Sequence, residues 1–186
     1  MKYFQLMSGD STRDFSRVML DFGVALVGPG RFGSILENQH VYEEKGHWAK
    51  LSWLLDASPG DRIVLHSGKS CIQAVGEIME SNGQVYQYSP FFSDIDGWDL
   101  NHFCFVRWKL IKKILDSSPL SRSTAQRLHK EEVIDFIEEN WDNFSFVEPR
   151  YEMKQDAEEL TYEQIEDELI DAGFRIEDAE QTVKTM

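Results

Sequence analysis

Trp98 is the side chain best placed to meet a ligand. It stands between Gly97 and Asp99 in the polar stretch Asp94-Ile95-Asp96-Gly97-Trp98-Asp99. A large aromatic in such a loop either packs back onto the domain or presents its face, and a planar base stacked on it is worth roughly 1–3 kcal/mol. The surrounding carboxylates lack the spacing and the terminal Glu of a calcium loop. They read as a solvated loop or as one that holds Trp98. A second feature is basic: Arg107, Lys109, Lys112, Lys113, Arg122, Arg127 and Lys130 fall within 24 residues, opposed only by Asp116. Such a run is either a solvated face or a surface for phosphates.

Other motifs carry less chemistry. Gly28-Pro29-Gly30-Arg31-Phe32-Gly33 has the GxGxxG spacing, but a dinucleotide site needs a helix to begin at once. Residues 34–47 are polar and weakly periodic, which predicts a long loop. The glycines then make a turn that lets a ligand approach the backbone. Ser67-Gly68-Lys69-Ser70 holds Gly-Lys-Ser, yet Ile63 stands where a phosphate loop needs its first glycine. His66, Cys71, His102 and Cys104 are zinc-ligand types without CxxC or HxxxH spacing, and the cysteines read as reduced core thiols. No carboxylate cluster with a lysine, zinc triad or activated nucleophile stands out. The expectation is a binding module, not an enzyme, without cofactor or metal.

The elements that must position these residues are mostly short strands. Lys2–Met7, Val24–Val27, Arg62–His66, Cys71–Met79, Gln84–Tyr88 and Phe103–Ile111 read as strands, and Asp14–Leu20 and Trp48–Leu55 as helices. Close strand spacing with short helices predicts an α+β fold, a small barrel flanked by helices. Trp53 and Trp108 sit within apolar patterns and read as core. Beyond Pro119 the pattern turns helical: Arg122–Trp141 is one expected helix, and 145–160 a linker. Thr161 to Gln164 forms a capping box opening a helical pair. The expected division is a binding domain over 1–118, an adjoining helical segment over 119–150 and an acidic helical pair or linker over 151–186. The chain ends on the apolar stripe of its last helix, which suggests the front piece of a longer protein.

Composition bounds the class. Of 186 residues 41% are hydrophobic, enough for a real core. No apolar run approaches the ~18 residues of a membrane span, and the N-terminus lacks a signal-peptide core. A cytoplasmic protein without a membrane partner is expected. The net charge of −14 is unevenly spread: residues 1–130 carry 15 Lys and Arg against 14 Asp and Glu, and residues 131–186 carry 4 against 19. The first part, at +1, is free to carry a local basic face; the acidity, −15, belongs to the C-terminal part.

The segment Pro59-Gly60-Asp61-Arg62-Ile63-Val64-Leu65-His66-Ser67-Gly68, followed by Ala74-Val75-Gly76-Glu77-Ile78, resembles the EVE and YTH domains of the PUA-like superfold. The opening, Tyr3–Met7, the turn Ser8–Ser11 and Phe22-Gly23-Val24, is similar too, as is Gly97-Trp98 shortly before Phe105-Val106-Arg107-Trp108. The likeness spans about residues 1–115. It implies a reader that takes an extruded, methylated nucleobase of DNA or RNA into an aromatic pocket. Trp98 would be one pocket wall, Ser8 and Asp10 would contact the base edge, and Gly28 would approach by its backbone. YTH domains often place a tryptophan where this chain has Ala25, so a second wall would come from Phe32, Trp48, Tyr88 or Phe91. N6-methyladenine, 5-methylcytosine and bulkier marks stay open. Arg107, Lys109, Lys112, Lys113 and Arg122 would meet phosphates. The resemblance also implies a prokaryotic defence or restriction protein with a fused or associated effector domain. The alternative is a protein-interaction module acting through the acidic helical tail.

Overall fold

Three consecutive apolar residues, Ile63, Val64 and Leu65, show how the fold is built. Successive strand residues point to opposite faces, so a strand that is apolar at every position must be covered on both. The computed structural model describes residues 1–10 and 12–151. In it Ile63 and Leu65 join one core with Phe4, Leu6, Ala74 and Trp108, while Val64 joins a second with Ile72, Val75 and Ile111.

The elements run β1 (Tyr3–Met7), α1 (Ser16–Asp21), β2 (Val24–Val27), α2 (Ile35–Glu44), α3 (Trp48–Leu51), α4 (Trp53–Asp56), β3 (Arg62–Ser67), β4 (Cys71–Ile78), β5 (Gln87–Tyr88), β6 (His102–Ile114), β7 (Ala125–Arg127) and α5 (Glu131–Asn140). The sheet order is β2-β6-β4-β3-β1-β7, with β5 also on β6. β1 and β3 are parallel and the other pairs antiparallel. β6 pairs with β2 and β5 through its first residues and with β4 through the rest. The sheet therefore curls around it into a half-barrel, an α+β architecture with short helices. A Cβ on Gly76 would lie 2.7 Å from Trp108 Cε3. The glycine lets the indole cross the sheet, where Nε1 donates to the carbonyls of Met19 and Val24.

Several expected elements differ. Residues 35–44 form α2, not a loop. Ser34 accepts from Leu36 N–H as its cap, and Ile35 and Tyr42, two turns apart, are its buried residues. The other face is polar and the helix kinks at Asn38, which leaves little periodic signal. Residues 125–127 are a strand, not part of a 122–141 helix: β7 pairs with β1, and the helix begins at Glu131. The sheet thus runs past the expected boundary at 118. Leu120, Leu128, Val133 and Ile137 close the second core. Of the expected strand Gln84–Tyr88 only Gln87–Tyr88 forms, and the expected helix Trp48–Leu55 is two single turns. Part of the expected linker lies against the domain: Val147 N–H donates to Trp108 O, and Arg150 N–H to Asp21 O. The expected helical pair over 161–186 falls outside the described residues. Among the described residues no helix is long and apolar enough to cross a membrane.

Candidate functional site

Trp98 and Gly28, 70 positions apart in sequence, line one cavity of about 290 Å³ together with Pro29, Arg31, His47, Lys50, Gly97, Asp99 and Thr124. Four segments converge on it: the glycine turn after β2, the α3 region at His47 and Lys50, the loop before β6, and Thr124 just before β7. The Trp98 backbone is pinned by a tight turn, its N–H donating to Ile95 O and its O accepting from Ile95 N–H. The half-buried indole leans on Phe15, 5.9 Å between centroids, and carries the Arg13 guanidinium 5.2 Å from its centroid. Arg13 in turn donates to Asp96 O at 3.0 Å and pairs with Asp10. The 8–14 and 94–99 loops are therefore tied together beside the indole.

The glycine turn is held from behind by a buried polar network. His102 is fully buried, with Nε2 3.0 Å from Pro29 O and 2.9 Å from the Tyr42 hydroxyl. A carbonyl only accepts, so Nε2 carries the hydrogen and Nδ1 accepts from the Tyr86 hydroxyl at 2.9 Å. Tyr42 donates to Gly33 O, Tyr88 to Gly30 O, and Ile35 N–H to the Tyr86 oxygen. Burial pulls the His102 pKa down to about 4, against the smaller opposing effect of Pro29, so the imidazole is neutral. Gly30 sits where a Cβ would be 2.0 Å from Asn101 Oδ1; only glycine fits this close approach. Gly30 N–H donates to Asp99 O, which joins the turn to the Trp98 loop.

The remaining candidates for base contact fall elsewhere. Ser8 is buried, its backbone bonded to His66 and Phe15. The Asp10 carboxylate accepts from Thr12 N–H, Thr12 Oγ1 and Arg13 N–H. Neither lines the cavity; Asp10 acts on it only through Arg13. Phe91 is core, edge-on to Phe22 and Phe92. Tyr88 lies behind the turn. Trp48 is half-buried against the first core. Phe32 is next to the cavity, stacked on His47 at 6.3 Å. Ala25 is fully buried in β2 opposite Cys104, away from the rim.

The basic run divides. Lys109 is buried: its ammonium donates to Trp141 O and lies 4.2 Å from the Trp141 centroid and 4.5 Å from that of Phe146. Burial lowers its pKa. Arg107 pairs with Glu77 at 3.2 Å and covers Phe146. Both are occupied in latching residues 141–146 onto the sheet, which removes Lys109 from the expected phosphate contacts. Lys112, Lys113 and Arg122 are exposed, and Arg122 is two residues from Thr124 at the cavity.

Arg31, His47, Lys50, Asp99 and Thr124 were not legible as site residues. Arg31 sat inside a recognised glycine turn and Asp99 inside the carboxylate-rich loop of Trp98, neither with a role of its own; His47, Lys50 and Thr124 carry no motif, and only the fold brings them together. Arg31, His47 and Lys50 share the lining; burial, then the charges of Lys50 and Arg31, lower the His47 pKa. The zinc-ligand types do not converge. Among the described residues no three His, Cys, Asp or Glu could hold a metal. Cys104 is buried and Cys71 half-buried. A scan against protein-family models finds no match, and neither does a search of curated proteins.

Proposed function

We propose that this domain is a PUA-like, EVE- or YTH-like reader that takes one extruded nucleotide with a modified, methylated base from a nucleic acid strand into the cavity between Gly28 and Trp98. The observation that carries this reading is that Trp98 and Gly28 line the same cavity, the indole backed by Phe15 and Arg13. A stacking platform must be rigid to favour one ligand geometry, and the Ile95–Trp98 turn supplies that rigidity. A volume of about 290 Å³ is near the lower end for small-molecule sites, roughly 300–1,000 Å³; it suits a single nucleotide. Asp99 offers an acceptor for an exocyclic amine or ring N–H of the base, the usual pairing of carboxylates with such groups. A methyl adds only about 1 kcal/mol by apolar contact, so the polar contacts and the fixed indole must sharpen the choice.

The test is binding of short single and double strands, DNA and RNA, carrying one N6-methyladenine, one 5-methylcytosine or no mark. The expected result is tighter binding of one marked strand. Equal binding of marked and plain strands, or no binding of any, overturns the reading.

A further inference from the structure

We propose that Arg31 and Lys50 form a phosphate subsite at the rim of the cavity, so that the recognised unit is a base together with a phosphate flanking it. The inference rests on the reading of the cavity as a nucleotide site. Arg31 is exposed and Lys50 half-buried. Among the described residues neither forms an ion pair, as is true of Lys112, Lys113 and Arg122; Arg31 and Lys50 differ from these in lining the cavity together. A guanidinium and an ammonium that line one cavity, with no ion pair among the described residues, are placed to receive an anion there.

Arg31 also has an aromatic neighbour. Its guanidinium lies 5.2 Å from the Phe32 centroid, and Phe32 stacks on His47 with an interplanar angle of 21°. Arg31, Phe32 and His47 thus form a column beside Lys50. Burial and then the charges of Lys50 and Arg31 lower the His47 pKa, which disfavours a third positive charge in this column. Among the described residues the lining is polarised: the cations come from residues 31 and 50, the indole and a carboxylate from 98 and 99. A nucleotide has the same division, a planar base and an anionic ester. Asp99 repels the phosphate and accepts from the base, which orients the ligand with its phosphate toward Arg31 and Lys50.

The experiment uses the full chain and the marked strand that binds best. The phosphate on the 5′ or the 3′ side of the marked nucleotide is replaced, one at a time, by an uncharged methylphosphonate. One of the two replacements is expected to lower affinity about tenfold. The same replacement should have no effect on the Arg31→Gln/Lys50→Gln double variant, whose melting temperature should stay near that of the parent. In Lys112→Gln/Lys113→Gln the methylphosphonate effect should persist. If discrimination of the marked base stands but neither replacement changes affinity, the phosphate subsite is overturned while the base reading survives. If the double variant keeps the full methylphosphonate effect, another group holds the phosphate and the assignment is overturned. Absence of binding by every strand defeats the base reading and this inference together.

Discussion

The Arg13 guanidinium covers the Trp98 indole at 5.2 Å, and Asp10 holds the guanidinium at 3.4 Å. If Trp98 stacks on an extruded base, Trp98→Ala should cost roughly 1–3 kcal/mol of binding, more for a marked strand than for a plain one. Arg13→Gln frees the indole without removing it and should weaken binding by less. The two changes should be non-additive in a double-mutant cycle. Full additivity would show that Arg13 touches the strand on its own account.

His102 makes stability depend on pH. Its pKa of about 4 in the folded protein lies below the ordinary 6.5, so on acidification the unfolded chain binds a proton first. The stability linked to His102 is complete above pH 6.5 and is lost as pH falls toward 4, by about 3 kcal/mol in all. His66, also lowered by burial, acts in the same direction. Urea melts across this range should show the slope, and His102→Gln should reduce it. An unchanged slope in His102→Gln would assign the effect to His66 and the carboxylates.

Lys109 and Lys112 are three residues apart on β6 and should behave as opposites. Lys109→Gln removes a buried donor from Trp141 O and should lower the melting temperature. Lys112→Gln/Lys113→Gln should leave folding intact, weaken marked and plain strands alike, and flatten the dependence of affinity on salt. A salt slope unaffected by the pair would take them out of the interface.

Truncation separates the binding domain from its cover. A chain ending at Ser118 lacks β7, which pairs with β1, and lacks Leu120, Leu128, Val133 and Ile137, half of the second core. It should fail to unfold cooperatively, whereas one ending at Tyr151 should melt in a single transition. Cooperative unfolding of the shorter chain would make β7 and α5 dispensable.

The strands β1 to β4 and β6 were legible because both periodicities that sequence reveals, alternation and continuous apolar runs, are present in them. β7 was not: Ala125-Gln126-Arg127 has no strand composition of its own, and its state is set by the free edge of β1. α2 was hidden because only Ile35 and Tyr42 of its ten residues are buried. At the site, Trp98 stood out by its polar surroundings and Gly28 by the glycine spacing. Lys50 could not, since nothing local distinguishes a helix lysine that lines a cavity from one in water. Lys109 misled for the reverse reason: a lysine in a basic run gives no hint that Trp141, 32 residues later, will close over it.

Tyr42, Tyr88 and His102 each aim a single donor at a carbonyl of the 29–33 turn, those of Gly33, Gly30 and Pro29. The turn therefore faces these acceptors inward and exposes Arg31 most, with Pro29 and Phe32 half-buried on either side. Its curvature is written by residues on α2, β5 and β6, so the hexapeptide is not a portable unit. Grafted alone onto another barrel, Gly28–Gly33 would keep only its internal bond from Gly33 N–H to Gly30 O and would arrive with the carbonyls of Pro29 and Gly33 unanswered.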